Sequence, residues 1–287
     1  MTKIVCLSGK ACSGKNTSAN WLFGLKMVQL GVVEYFKIND KGQLVVPAVY
    51  ENMEIREGIF DPTSQRPEVV SFLQDIWPYV KLYSFADALK EFCITVLGLT
   101  YEQCYGTNDD KNTLTNIKWE DVPGVVTDQT LYDNLNKVDK RYNIANQDKQ
   151  IDNLLIYHEP GQMTGREVMQ VFGSDVCRRM YGDCWANTTI NQIKVEQPEL
   201  AIITDGRFPN EVQSTHNAGG IVIRFLRNPL DQSHQSEVKL DNTDVAEFDF
   251  VLNNQNMTIA EQNKNVAQYL KSIGYIDFIE ETPEVQS

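Results

Sequence analysis

A glycine-rich segment near the start of the chain carries residue types that bind phosphate. Gly9, Gly14 and Lys15 stand at the spacing of a phosphate-binding loop, in which a glycine and four further residues precede Gly-Lys. In such a loop, backbone N–H groups surround phosphate oxygens and the lysine reaches the β- and γ-phosphates. The segment therefore predicts the binding of a nucleoside triphosphate. The residues that we expect to bind it are Gly9, Lys10, Ser13, Gly14, Lys15, Asn16 and Thr17.

The loop departs from its usual pattern directly after the lysine. Asn16 replaces the common serine or threonine, and Thr17 follows it. An amide oxygen can ligate Mg²⁺ or orient one of its waters, because Mg²⁺ usually keeps several waters. Asn16 is therefore the candidate metal ligand, whereas Thr17 is expected to bond the α-phosphate or the helix backbone. The alternative for the whole segment is a chance cluster of glycine and lysine between a strand and a helix.

A second candidate group follows the apolar run at 200–205. Asp205 ends this run, and Arg207 and Glu211 come shortly after it. In open α/β sheets, ligands bind at the carboxyl ends of the strands, so Asp205 is expected beside the phosphate loop. There it would hold a Mg²⁺-bound water or a substrate hydroxyl. Capping of the helix that starts near Pro209 is the structural alternative, and it does not exclude this role.

Several cations in the middle of the chain suit phosphoryl transfer, which needs positive charge around the migrating group. Lys90 lies on the first turns of a predicted helix. Arg166 and Gln170 share a helical face at i, i+4 spacing. Arg178 and Arg179 follow as candidates for a lid over the phosphates. For the lysine and the last two arginines, the alternative is a solvated position on a helix surface.

The elements that must position these residues alternate between strands and helices. Apolar runs predict strands at 3–8, 79–85, 200–205, 221–227 and 248–254. Helical spacing of apolar residues predicts helices at 15–31, 67–77, 86–98, from Thr100, in two pieces within 163–194, at 210–219 and at 258–273. This alternation predicts an α/β fold, a mostly parallel sheet of the P-loop type with helices on both faces.

We predict one domain over residues 1–287 with two insertions. The segment 32–60 has a hairpin signal at residues 39–42. The segment 106–160 is polar and has little periodicity, which is typical of a functional lid or a mobile segment. The acidic tail after Asp277 is expected to fray.

Composition limits the possible partners. The net charge of −13 repels nucleic acid and acidic membranes, and it favours a small phosphorylated substrate held by local cations. No stretch approaches the roughly 20 apolar residues of a membrane span, and no secretory signal pattern precedes the first strand. The six cysteines contain no Cys-x-x-Cys pair, and metal-ligand spacing is absent. We expect a cytoplasmic protein with reduced, mostly buried thiols.

The ordered set of motifs resembles that of the bacteriophage deoxynucleoside monophosphate kinases, the family of the T-even phage enzyme. The family's loop reads Ser-Gly-x-x-x-Ser-Gly-Lys-Asp-Thr, and residues 8–17 follow it with Asn16 in place of the aspartate. SFADALKEF, REVMQVFGSDVCRRMYGDCW, ITDGRFPNEV and DQSHQSEV are similar to further family stretches. The resemblance does not extend to 32–60 or to much of 106–160. The substrate-binding residues that it implies are Leu89, Lys90, Arg166, Gln170, Asp175, Trp185, Asp205, Arg207 and Glu211.

The resemblance implies a reaction in which ATP and a deoxynucleoside monophosphate give ADP and the diphosphate, with Mg²⁺. It also implies a homodimer and, for a phage-encoded protein, the cytoplasm of the host cell. We assign Lys15, Asp205 and Arg207 as the catalytic residues. The segment with His234 follows the fourth predicted strand, where kinases often bind the donor base.

Two alternatives stay open. The acceptor could be a hydroxymethylated base within DNA or a small metabolite, although the negative charge disfavours DNA. The protein could also bind a nucleotide without catalysis, which the asparagine after the loop lysine leaves open.

Overall fold

The structure is a computed structural model that describes residues 2–49, 55–64, 66–134, 156–227 and 247–277. The chain forms two compact units, each with a core of its own. The larger unit comprises Met1–Ala88 and Gly182–Ser287, and the smaller unit comprises Leu89–Tyr181. No helix in the described part of the chain is both long and apolar enough to cross a lipid bilayer.

The elements follow the predicted order, and most of them are shorter than predicted by a few residues. The strands are β1 (Lys3–Gly9), β2 (Lys37–Ile38), β3 (Leu44–Val49), β4 (Ile55–Phe60), β5 (Val80–Tyr83), β6 (Leu114–Lys118), β7 (Val125–Val126), β8 (Ile156–Tyr157), β9 (Gln162–Thr164), β10 (Leu200–Gly206), β11 (Ile221–Phe225) and β12 (Phe250–Leu252). The main helices are α1 (Lys15–Gln29), α2 (Pro67–Leu73), α3 (Asp87–Thr95), α4 (Tyr101–Tyr105), α5 (Asn108–Lys111), α6 (Gly165–Gln170), α7 (Cys184–Glu196), α8 (Pro209–Asn217) and α9 (Ile259–Ser272). A π-helix, Val171–Arg178, continues α6.

The larger unit is built on a five-stranded sheet in the order β12-β11-β1-β10-β5. Every neighbouring pair of its strands is parallel. Successive residues of a strand point to opposite faces of the sheet. In β1 both faces are buried, because Val5 packs with residues of α1 and α9 whereas Ile4 packs with residues of α7 and α8. Helices therefore cover both faces, which confirms the predicted α/β fold of the P-loop type.

A second sheet of the larger unit follows α1. It is antiparallel, in the order β2-β3-β4, and a tight turn joins β2 to β3. The side-chain Oδ1 of Asn39 accepts hydrogen bonds from the N–H groups of Lys41 (3.0 Å) and Gln43 (2.9 Å). Gly42 has a φ of 76°, a left-handed conformation that glycine adopts without steric cost. The hairpin thus has its turn at the residues that carry the hairpin signal.

The smaller unit packs short elements around one apolar core. Its two-stranded sheets pair β6 with β9 and β7 with β8. The polar segment 106–160 contributes α5, β6, β7 and β8, so part of it is regular structure despite its weak periodicity. A threonine cap explains α5, since Thr107 and Asp110 form a capping box. Residues 135–155 of the predicted lid and residues 278–287 of the acidic tail lie outside the described residues.

Candidate functional site

The turn between β1 and α1 contains two glycines with positive φ angles. Gly9 has a φ of 154° and Gly14 has a φ of 100°. A Cβ on Gly9 would lie 2.6 Å from Ser13 Oγ and 2.9 Å from the carbonyl oxygen of Phe225, so no other residue fits there without a shift. No side chain caps the start of α1, and its first turn contains no acidic residue. The positive end of the helix dipole therefore suits an anion at this position.

The ammonium group of Lys15 lies inside this loop. It donates hydrogen bonds to the carbonyl oxygens of Gly9 (2.7 Å) and Lys10 (2.6 Å), and it is 3.4 Å from Ser13 Oγ. The side chain of Lys15 is only 6% exposed. Taking a cation out of water is costly unless polar groups replace the water, and here the loop itself supplies them. The loop thus holds a positive charge at its centre.

The two residues after Lys15 differ in their surroundings. Asn16 is exposed, so its side-chain oxygen is open to a solvated ligand. Thr17 is half-buried, and its hydroxyl lies against Gly42 at the turn of the hairpin, where a Cβ would collide with it. Asn20 also donates to the carbonyl oxygen of Gly42 (2.9 Å). The hairpin is therefore anchored on the first turns of α1, directly behind the loop.

Asp205, at the end of β10, ties two neighbouring strands together. Its Oδ1 accepts from the N–H of Phe85 (2.7 Å), and its Oδ2 accepts from the hydroxyl of Ser84 (2.7 Å) and the N–H of Ala86 (3.2 Å). The carboxylate thus organises the turn after β5. A carboxylate accepts about four hydrogen bonds, so a position for a substrate hydroxyl or a water remains.

Glu211, and not Asp205, caps α8. Its Oε2 accepts from the N–H groups of Arg207 (2.7 Å) and Phe208 (3.1 Å), and its side chain is 1% exposed. The sequence alternative that assigned this cap to Asp205 is therefore wrong. The reason is that the capping carboxylate lies on the first turn of α8 itself and reaches back to the preceding backbone, as in a capping box. Glu211 consequently sets the backbone direction at Arg207.

No disulfide bond joins the six cysteines of the chain, and their side chains differ in burial. Cys6, Cys93 and Cys104 are buried, Cys12 in the phosphate loop is exposed, and the other two are half-buried. Burial raises the pKa of the Cys6 thiol far above its ordinary value, and the charges of Glu211 and Asp205 raise this pKa further. Cys6 is therefore a neutral core residue. The expectation of mostly buried thiols holds for half of them.

In the smaller unit, asparagine side chains orient Arg166. The Nε of Arg166 donates to Asn112 Oδ1 (3.0 Å), and one terminal nitrogen donates to Asn108 Oδ1 (2.9 Å). Both acceptors are neutral amides, and the described residues place no carboxylate at ion-pair distance from Arg166. No ion pair among these described residues therefore offsets the positive charge of the guanidinium group. Lys90 of the same unit lies over the ring of Tyr105, with its ammonium group 4.5 Å from the ring centroid.

The remaining predicted substrate residues differ in burial. Trp185 is buried on the first turn of α7 in the larger unit. In the smaller unit, Leu89 packs against Gly173 of the π-helix, whereas Gln170 and Asp175 are exposed. The segment with His234 lies outside the described residues.

Polar residues outside the sequence motifs contact both Arg166 and the phosphate loop. Asn108 and Asn112 orient Arg166, and a buried pair, Asn254 and Gln262, contacts the backbone of the phosphate loop. Only Asn254 had a signal in the sequence, because it follows β12 at the carboxyl end of a parallel strand. Asn108 and Gln262 lie on helices and Asn112 directly follows α5, at positions where asparagine and glutamine are ordinary surface residues.

A parallel sheet whose first strand runs into a glycine loop around a buried lysine defines an α/β protein of the P-loop kinase type. The family model of deoxynucleotide monophosphate kinase matches residues 81–265. This match covers more than half of the chain, so the protein belongs to the deoxynucleotide monophosphate kinase family and is a nucleotide kinase. The matched residues include Lys90, Arg166 and Asp205, whereas the phosphate loop precedes them. A comparison with curated proteins found no match.

Proposed function

We propose that the protein transfers the γ-phosphoryl group of ATP to a deoxynucleoside 5′-monophosphate, which gives ADP and the corresponding diphosphate. The observation that carries this proposal is the buried ammonium group of Lys15 inside a loop of left-handed glycines. Membership in the deoxynucleotide monophosphate kinase family supports a deoxynucleoside monophosphate as the acceptor. The net charge of −13 agrees with a small anion bound by local cations and backbone groups.

When the donor binds, hydrogen-bond partners within the loop are exchanged for phosphate oxygens. Phosphate oxygens take the place of the carbonyl oxygens of Gly9 and Lys10 as partners of the Lys15 ammonium group. The backbone N–H groups of residues 10–15 and the start of α1 hold the remaining phosphate charge. A charge-assisted bond to phosphate is stronger than a bond to a neutral carbonyl, so the exchange favours the bound state.

Acceptor binding relies on side chains. In the smaller unit, we assign Lys90 and Arg166 to the phosphate of the monophosphate. In the larger unit, we assign Asp205 and Arg207 to its sugar, base or phosphate. Glu211 acts through the backbone of Arg207 and is a positioning residue. The acceptor phosphate is already ionised at neutral pH, so its attack on the γ-phosphorus needs no strong general base.

The oxygen donors present fit Mg²⁺. Asn16 is exposed directly after Lys15, and Asp205 keeps one acceptor position at the end of β10 beyond its three hydrogen bonds. Hard oxygen ligands in small number, together with waters and substrate phosphates, are what Mg²⁺ prefers. Asn16 would hold the ion, directly or through a water, and the ion would neutralise the charge that develops on the phosphate oxygens.

The test is a coupled assay of ADP formation with ATP and each deoxynucleoside monophosphate, with ribonucleoside monophosphates as controls. We expect turnover with at least one deoxynucleotide. Calorimetry should show binding of both ATP and that monophosphate. Binding of ATP without any turnover would support a non-catalytic nucleotide-binding protein instead. Turnover only with duplex DNA, with a steep dependence on salt, would move the acceptor to DNA.

The homodimer that the resemblance implies is a separate part of this proposal. Light scattering of the full chain tests it, since a monomeric mass at assay concentration would contradict it.

A further inference from the structure

A buried network of neutral amides contacts the phosphate loop from the side of α9. Asn254 Nδ2 donates to the carbonyl oxygen of Ser13 (2.7 Å), and Gln262 Nε2 donates to the carbonyl oxygen of Gly14 (3.0 Å). The two amides also bond each other, since Asn254 Nδ2 lies 2.6 Å from Gln262 Oε1. Asn254 is fully buried and Gln262 is 1% exposed. These contacts join the last strand and helix of the larger unit to its first loop.

The polar side-chain atoms of Asn254 and Gln262 all have hydrogen-bond partners. Gln262 Nε2 also donates to Ser18 Oγ (2.9 Å), which in turn donates to Asn263 Oδ1 (2.9 Å). The Oδ1 of Asn254 accepts from the N–H of Arg227 (2.9 Å). A buried polar network whose members all have partners is rigid, because breaking any one bond leaves a desolvated group without compensation.

Peptide geometry transmits this rigidity to the face of the loop that binds phosphate. In a planar trans peptide, the C=O and N–H groups point in opposite directions. The carbonyl of Ser13 shares its peptide plane with the N–H of Gly14, and the carbonyl of Gly14 shares its plane with the N–H of Lys15. An amide that fixes each carbonyl therefore also fixes the direction of the N–H on the other side of the plane.

The glycine at the end of the loop fits this arrangement. Gly14 has a φ of 100°, and a Cβ there would collide with the side-chain amide of Gln262. The glycine allows Gln262 to approach the backbone closely, so its conformation serves the contact behind the loop as well as the turn itself.

We propose that Asn254 and Gln262 are positioning residues for donor binding. By holding the carbonyl groups of Ser13 and Gly14, they orient the N–H groups of Gly14 and Lys15 toward the phosphates. This role rests on the proposed function insofar as the loop binds a polyphosphate. Neither side chain contacts the nucleotide, and the two act through the loop backbone alone.

The decisive comparison uses two substitutions of the same kind on α9. Gln262→Met keeps the length of the side chain and removes its hydrogen bonds, whereas Gln268→Met makes the same change at an exposed position. Calorimetry with inorganic tripolyphosphate and with ATP measures donor binding. We expect a Kd at least tenfold higher in Gln262→Met, which corresponds to the loss of about 1.4 kcal/mol, and an unchanged Kd in Gln268→Met.

A kinetic measurement separates positioning from general destabilisation. In Gln262→Met the KM for ATP should rise at least tenfold while the KM for the monophosphate stays within twofold. Equal increases in both KM values, or a tripolyphosphate Kd within twofold of the wild type in a folded variant, would overturn the proposal. If Gln262→Met does not fold, Asn254→Ala with the exposed neighbour Asn253→Ala as its control makes the same comparison.

Failure of the proposed function gives a different result. A wild-type protein without turnover on any monophosphate would contradict the reaction. The tripolyphosphate measurement would still decide whether the two amides orient the loop.

Discussion

Two regions present positive charge in opposite ways. One is the phosphate loop of the larger unit, and the other is Arg166 with its asparagine partners in the smaller unit. Lys15 is 6% exposed and is enclosed by carbonyl groups of its own loop. Arg166 has neutral side-chain partners, Asn108 and Asn112, near the protein surface. The first arrangement depends on backbone conformation and the second on side-chain charge. Donor binding should therefore be sensitive to changes in loop geometry, and acceptor binding to charge substitutions.

The largest effect is expected at the centre of the loop. Lys15→Ala removes the cation that we propose binds the donor phosphates, and turnover should fall by about 10²–10³-fold or more. The fold should persist, because the variant leaves no buried charge behind. Lys26→Ala is the control on the same helix, since Lys26 pairs with Glu199 on the surface (2.9 Å). Coupled assays and thermal melts of both variants make the measurement, and near-normal turnover of Lys15→Ala would refute the donor site.

A change of backbone conformation should have the next largest effect. Gly9→Ala places a methyl group 2.9 Å from the backbone of Phe225 at a φ of 154°, so the loop must shift. We expect a loss of about 1–3 kcal/mol in the free energy of unfolding and a large rise in the Kd for ATP.

Gly31→Ala is the matched control for this substitution. Gly31 has a φ of 69°, and its Cβ would meet nothing within 4 Å, so the variant suffers backbone strain without a clash. Denaturation and calorimetry should show some loss of stability in Gly31→Ala with normal ATP binding. An equal Kd for ATP in the two variants would show that the loop tolerates movement. It would contradict the expectation that donor binding depends on the backbone conformation of the loop.

The same contrast explains how much of the molecule could be predicted from sequence. The phosphate loop is local: its glycines and lysine lie within a few residues of each other, so their spacing alone indicates the path of the backbone. The parallel sheet was predictable for a related reason, because a strand buried on both faces is a continuous apolar run. Both features could therefore be predicted from residues that are contiguous in the sequence.

The rest of the site depends on contacts between residues far apart in the chain. Asn108 and Asn112 precede Arg166 by 58 and 54 positions, and Asn254 lies 241 positions from Ser13. No spacing rule connects such residues. Polar side chains also lack the periodicity that marks a core, so only the fold shows that Gln262 is buried and Gln268 is not.

A charge substitution beside Arg166 should have a moderate effect. Asn112→Asp puts a carboxylate in place of the amide whose oxygen lies 3.0 Å from the Nε of Arg166, and the resulting ion pair offsets the charge of the guanidinium group. We expect the KM for the monophosphate to rise about fivefold, the equivalent of about 1 kcal/mol, with an unchanged KM for ATP.

Asn116→Asp is the control for this variant. It adds the same charge to the same unit at an exposed position of β6. Steady-state kinetics with each substrate varied separately make the measurement. A rise in the KM for ATP, or equal effects of the two variants, would show that Arg166 does not act on the acceptor.

The smallest expected effect is a difference in the pH dependence of stability between a variant in the core of the smaller unit and a variant in the phosphate loop. Burial raises the pKa of the Cys93 thiol from 9.0 to about 12, with smaller contributions from Cys104 and Cys177. Below about pH 9 the thiol is neutral in the folded and unfolded chains. As the pH rises toward 12, only the unfolded chain loses this proton, so the free energy of unfolding falls.

Thermal melts from pH 8 to pH 10.5 should therefore show a shallower decline of Tm in Cys93→Ala than in the wild type. Cys12→Ala, at the exposed thiol of the phosphate loop, should keep the wild-type slope, and identical slopes in all three proteins would mean that Cys93 is not held neutral by its surroundings.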